Sequence, residues 1–104
     1  MPKYVFAYHG GSMAESPAAQ ADAMAAWGAW FETLGAAVID GGNPTGQAKT
    51  ITADGSVSNG GGGNPLSGYS LINATDIDAA IGHAKSCPIL TVGGSVEVAE
   101  AIDM

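Results

Sequence analysis

Three side chains in this sequence have the chemistry of an acid–base site. His9 ends the first predicted strand and can exchange a proton near neutral pH. Glu97, in the last predicted strand, could orient the imidazole, and Tyr69 could donate a hydrogen bond. The alternative, which we favour on sequence alone, is a structural cluster that holds a strand end and a dimer seam.

Four further residues are candidates for ligand contact. Asp40 ends the second predicted strand and Asn43 follows in the loop, where both could line a cleft, while Ser95 begins the last strand. Trp27 could form an aromatic cavity wall. Each has a structural interpretation too, since Asn43 before a proline is a turn signal and a helix tryptophan usually packs in the core. No ligand pair has metal-site spacing, so we expect neither metal nor cofactor.

The glycine-rich segment Gly60–Gly63 lies inside a long irregular stretch, residues 41–67. Its backbone N–H groups could cradle an anion, but it lacks the helix and Lys-Ser/Thr of a phosphate loop. Because long loops in compact domains are often lids, we expect it to cover a cleft that binds a small molecule.

The elements that must position these residues follow from hydrophobic spacing and turn signals. They predict strand–helix–strand, a long loop, then strand–helix–strand. Strands are expected over 3–9, 36–40, 68–73 and 95–99, with a small hairpin around Asp54-Gly55. The first helix runs from a Ser16 cap to Gly35 with Met24 in its apolar stripe, and the second from a Thr75 cap to Cys87.

Two such halves usually interleave into one antiparallel sheet with both helices on one face. The sequence therefore predicts a single α+β domain over residues 1–104 with a ferredoxin-like βαββαβ sheet. The first strand has side chains to bury on both faces: Tyr4, Phe6 and Tyr8 on one, Val5, Ala7 and His9 on the other. Two helices cover one face, so we expect a homodimer packed through the other, burying roughly 1,200 Å² or more.

Composition excludes several classes of protein. Ten acidic residues face three lysines and no arginine, a net charge of −7, which opposes binding to nucleic acid or to an anionic membrane. No apolar run approaches the ~20 residues of a membrane span. The single cysteine, Cys87, fits a reducing compartment, and no signal-peptide pattern is present, so we expect a cytoplasmic protein.

Several segments together resemble the YCII-related family. They are Tyr4-Val5-Phe6-Ala7-Tyr8, Gly68-Tyr69-Ser70-Leu71-Ile72, Asp76-Ile77-Asp78-Ala79-Ala80, Cys87-Pro88 and Gly94-Ser95-Val96-Glu97-Val98. The resemblance implies a ferredoxin-like subunit that dimerises through its sheet into an α+β barrel. Some branches carry a His–Asp pair proposed for cofactor-free chemistry on small organic molecules, whereas His9 lies at a strand end and not in the first helix. An Asp-Gly-Pro-Phe signature of another branch is replaced here by the glycine-rich segment.

Two functions are left open by the sequence. The first is a cofactor-free enzyme acting on a small organic molecule, with His9 transferring the proton and Tyr69 and Glu97 assisting. The second is a non-catalytic dimer that binds a metabolite in the same cleft or only dimerises. A regulatory partner domain for another protein is a third, weaker option.

Overall fold

A computed structural model, which describes residues 1–12 and 15–104, has an α+β architecture with one four-stranded sheet and a separate hairpin. The strands are β1 (Lys3–Gly10), β2 (Val38–Asp40), β3 (Lys49–Ile51), β4 (Val57–Asn59), β5 (Leu66–Asn73) and β6 (Gly94–Ala101). The α-helices are α1 (Pro17–Leu34) and α2 (Ile77–Ala84), and short 3₁₀ helices span Gly35–Ala37 and Pro88–Val92.

The main sheet has the order β2-β5-β1-β6, and every neighbouring pair is antiparallel. The first strand therefore lies between β5 and β6, as the interleaved arrangement requires. In register, Ala7 lies opposite Tyr69 on one side and Glu97 on the other. This arrangement is compatible with a ferredoxin-like fold.

The core lies between the sheet and the two helices. Tyr4, Phe6 and Tyr8 alternate along β1 and are all buried on the face that the helices cover. Trp30 of α1 stacks on Phe6 with ring centroids 6.3 Å apart. Its indole N–H also donates to the carbonyl of His83 in α2 at 3.0 Å, which ties the two helices together.

The helix ends confirm one predicted cap and correct another. Ser16 caps α1 by accepting from the N–H of Ala19 at 3.1 Å, as expected. The predicted Thr75 cap of α2 is wrong by one position, because Asp76 accepts from the N–H of Ala79 at 2.8 Å. Met24 is also not a core residue, since 77% of it is exposed.

The second sheet face is largely open. Val5, Ala7 and Leu71 point away from both described helices and remain partly exposed. The molecule measures 43 × 42 × 18 Å, and its radius of gyration of 14.8 Å exceeds the ~13 Å of a compact domain of this length. Within the described residues, no helix is both long and apolar enough to cross a membrane.

Candidate functional site

A cleft of about 830 Å³ lies between α1, the loop after β2 and the first residues of β5. One face of α1 contributes Met24, Trp27 and Phe31, which the helical spacing aligns. The loop contributes residues 41–45, and β5 contributes 66–69. Tyr8, residues 10–12 and Ile89 complete the described lining, so the cleft forms where five distant parts of the chain meet.

A cluster of aromatic rings forms one wall of the cleft. Trp27 contacts Tyr8 edge-on at a centroid distance of 5.0 Å and lies 6.0 Å from Phe31. Trp30 supports Trp27 from the core side at 5.7 Å. Trp27 therefore belongs to the core and to the cleft wall at once, which unites the two roles that its sequence position suggested.

The tyrosine in this wall is fixed by a buried chain of hydrogen bonds. The Tyr8 hydroxyl donates to Ser70 Oγ at 2.7 Å, and Ser70 Oγ donates to the carbonyl of Gly41 at 2.6 Å. Burial raises the pKa of Tyr8 far above its usual value, more than the Ser70 hydrogen bond lowers it. Tyr8 is consequently a neutral structural donor that links β1 to the loop through β5.

Glycine lets the loop after β2 approach β5 closely. Gly42 has a φ of +73°, and a Cβ there would lie only 1.7 Å from the carbonyl oxygen of Tyr69. Asp40 stabilises the same turn, because its Oδ1 accepts from the Gly42 N–H at 2.8 Å. Asp40 therefore shapes the loop and is not itself among the described lining residues.

Polar groups lie at the loop side of the cleft. The side-chain amide of Asn43 donates to the Tyr69 hydroxyl at 3.3 Å, and both residues line the cleft. Ser67 lines it too, and its buried Oγ has no hydrogen-bond partner among the described residues. Of the predicted site residues, Asn43 and Tyr69 thus contact each other, whereas the contacts of His9 are elsewhere.

His9 forms a separate cluster at the end of β1. Its Nε2 lies 3.1 Å from Glu97 Oε1, and its Nδ1 lies 2.9 Å from the carbonyl oxygen of Asn64. The exposed fractions of the two side chains are 14% for His9 and 67% for Glu97. Ser95 lies directly opposite His9 in the sheet register and is exposed.

The His9 cluster is structurally a clamp. Both ring nitrogens face acceptors, so the two hydrogen bonds coexist only when the imidazole carries both protons. The Asn64 contact, with the Gly10 N–H donating to Pro65 at 3.2 Å, fastens the end of the long loop to β1. Neither His9 nor Glu97 is among the described residues that line the cleft.

The glycine-rich segment was expected to cover the cleft. In the described structure the cleft is lined by the end of that loop, Leu66 and Ser67, and not by Gly60–Gly63. Tyr8, Phe31 and Gly42 also line the cleft and were not among the predicted site residues. Phe31 follows Trp27 by four residues, a spacing that could have placed it in the same wall.

Comparisons with protein-family models, with curated proteins and with solved structures found no match to this chain. Function therefore follows from the geometry of the cleft and of the His9 clamp. Among the described lining residues, the only ionisable side chains are Tyr8 and Tyr69. The described residues also contain no group of three or more His, Cys, Asp or Glu side chains that could hold a metal ion.

Proposed function

We propose that this protein is a non-catalytic, homodimeric binder of a small organic molecule. The molecule occupies the cleft on the helix-covered side of the sheet. The open sheet face packs against a second copy in a dimeric α+β barrel of the YCII-related type. The two faces of one sheet thereby serve two different purposes.

The character of the cleft lining carries this proposal. Its volume of about 830 Å³ falls within the range of small-molecule sites, and its walls combine aromatic rings with a few polar groups. General acid–base catalysis needs a group that exchanges protons near the working pH. Tyr8 is held neutral by burial, and the His9 imidazole lies outside the lining, which favours binding without chemistry.

The open sheet face supports the dimer. Val5, Ala7, Leu71 and Ala99 place apolar side chains there, with Ala99 directly opposite Val5. The subunit is only 18 Å thick, so a second sheet packed about 10 Å away would give both sheets a covered face. Such a contact removes apolar surface from water in both copies at once.

A thermal-shift screen with a library of uncharged and charged metabolites tests the binding function. A ligand present at 100 times its Kd stabilises the folded state by about 2.7 kcal/mol, which raises Tm by several degrees in a chain of this length. We expect such shifts in the wild type and in His9→Ala, and their loss in Trp27→Leu. The proposal fails if no compound shifts Tm, or if every shift survives in Trp27→Leu.

A cofactor-free enzyme is the second candidate, and the His9–Glu97 distance of 3.1 Å is the observation that favours it. To accept a proton, His9 would have to release one of its two hydrogen bonds. Mass spectrometry of the stabilising compounds after incubation separates the two functions. Turnover by the wild type that disappears in His9→Ala, without loss of binding, would establish the enzyme.

A further inference from the structure

The described lining of the cleft carries no formal charge at neutral pH. Three carboxylates, Asp22, Glu32 and Asp40, adjoin lining residues in sequence but are not in the described lining, and Asp40 accepts from the Gly42 N–H. An anionic ligand would approach a chain of net charge −7 and find no lysine or arginine in the described lining. A cationic ligand would find no carboxylate there either, so the lining selects for an uncharged molecule.

The aromatic wall favours a flat ring over a flexible chain. Trp27 is held between Tyr8, 5.0 Å away, and Phe31, 6.0 Å away, so its indole is already oriented before a ligand arrives. Rigid aromatic surfaces bind aromatic molecules by stacked or edge-on contacts at low cost in side-chain entropy. Met24 adds an exposed, adaptable side chain at the rim.

The loop side of the cleft is formed largely by backbone. Gly41, Gly42 and Gly68 all line the cleft. A Cβ at Gly68 would lie 3.2 Å from the carbonyl oxygen of Asn43 and 3.3 Å from the ring of Tyr8. These glycines therefore let the loop pack closely against β5 and contribute no charged side chain to the lining.

The polar pair of Asn43 and Tyr69 does not face this apolar space. Tyr69 lies opposite Ala7 in the register and two residues from Leu71, so its side chain points away from the helices. The Asn43 amide donates to the Tyr69 hydroxyl on that side, at 3.3 Å. A ring packed against Trp27 is therefore not within reach of this pair.

We infer that the ligand is an uncharged aromatic molecule. Its ring packs against Trp27 and Phe31. This inference rests on the proposed binding function and narrows it to a chemical class.

Titration calorimetry with four naphthyl probes tests the class: methyl 2-naphthyl ketone, naphthalene, 2-naphthoate and 2-naphthylmethylammonium. The ketone should bind at least tenfold more tightly than either charged probe. Tyr69→Phe, which removes a hydroxyl from the opposite face of the sheet, is the control and should leave the affinities for the ketone and for naphthalene unchanged.

Two variants of the aromatic wall complete the test. Trp27→Leu should weaken the ketone at least tenfold. Met24→Glu changes a side chain that is 77% exposed, so the fold should tolerate it. The new carboxylate should reduce the preference for the ketone over the ammonium probe at least threefold.

The outcomes distinguish the ligand class from the binding function. A charged probe that binds as tightly as the ketone, and is lost in Trp27→Leu, overturns the class and leaves the cleft a binding site. If no naphthyl probe binds while library compounds of another class stabilise the wild type but not Trp27→Leu, the class is again wrong and the function stands. If neither probes nor library compounds bind, both proposals are wrong.

Discussion

Gly42 determines where the loop after β2 meets β5. Replacing it with alanine combines a positive φ with a Cβ 1.7 Å from the Tyr69 carbonyl oxygen, so the loop must move. We expect Gly42→Ala to lower the free energy of unfolding by roughly 2–4 kcal/mol. Urea denaturation measures this, with Gly46→Ala as control because no atom lies within 4 Å of a Cβ there. Equal stability of the two variants would contradict the close approach.

Cys87 gives the protein an alkaline stability limit. Burial raises the pKa of this thiol from 9.0 to about 11. Between these values the unfolded chain loses the proton while the folded chain keeps it, so the unfolded state binds fewer protons and stability falls as the pH rises. Tyr8, whose pKa is also raised, adds a loss in the same direction above pH 10.

Urea midpoints measured from pH 7 to pH 10.5 check the Cys87 contribution. The wild type should lose more stability above pH 9 than Cys87→Ala, which lacks the ionising thiol but retains Tyr8. Parallel curves for the two proteins would show that the thiol does not ionise differently in the folded and unfolded states.

The sequence allowed the neighbours of some residues to be predicted, but not those of others. Strand alternation and antiparallel register were sufficient to bring His9 next to Glu97, because both depend only on the period of two. The partner of Tyr69 was not predictable in the same way. Its hydroxyl meets Asn43 because of the path of an irregular loop, which no periodicity encodes.

At the scale of elements, the hairpin β3–β4 stands apart from the sheet. All its strand residues are exposed, including Ile51 and Val57, which pair across the strands at 64% exposure each. An isolated hairpin is marginally stable in water, so its turn must contribute much of its order. Asp54 forms that turn by accepting from the Ser56 N–H at 2.9 Å and from the Thr52 hydroxyl.

The Asp54 turn makes the hairpin sensitive to acid. Its hydrogen bonds lower the pKa of Asp54 to about 2, so their contribution is complete above the unfolded value near 4 and is lost as the pH falls towards 2. Asp54→Ala should therefore loosen the hairpin at neutral pH while the main sheet stays intact. Amide hydrogen exchange should quicken in β3 and β4 alone; unchanged protection there would refute the role of the turn.

Local sequence signals were sufficient to predict one turn and one helix cap. The Asp54-Gly55 turn and the Ser16 cap are local and were predicted correctly. The second cap was misplaced by one residue, since both Thr75 and Asp76 can cap a helix and aspartate is the stronger N-cap residue of the two. The helix that starts after Asp76 packs Ala80 and Ala84 against the core.

At the scale of the molecule, we propose that the two faces of the main sheet have different functions, one in ligand binding and the other in dimerisation. Its helix-covered face bears the cleft and its open face is the proposed dimer surface. The sequence could predict the two layers, because the strands and helices are locally encoded. It could predict Asn43 and Trp27 as cleft residues, but not the full lining, because that lining brings together parts of the chain that are far apart in sequence.

Sedimentation velocity in the presence of methyl 2-naphthyl ketone, recorded at the absorbance of the ketone, tests this separation most directly. Ala99→Glu places a charge on the open face at an exposed position, and Ala25→Glu places one on the exposed side of α1 as a control. The wild type and Ala25→Glu should sediment as dimers carrying ketone, and Ala99→Glu as a monomer that still carries it. A monomeric wild type, a dimeric Ala99→Glu or a monomer without ketone would contradict the account.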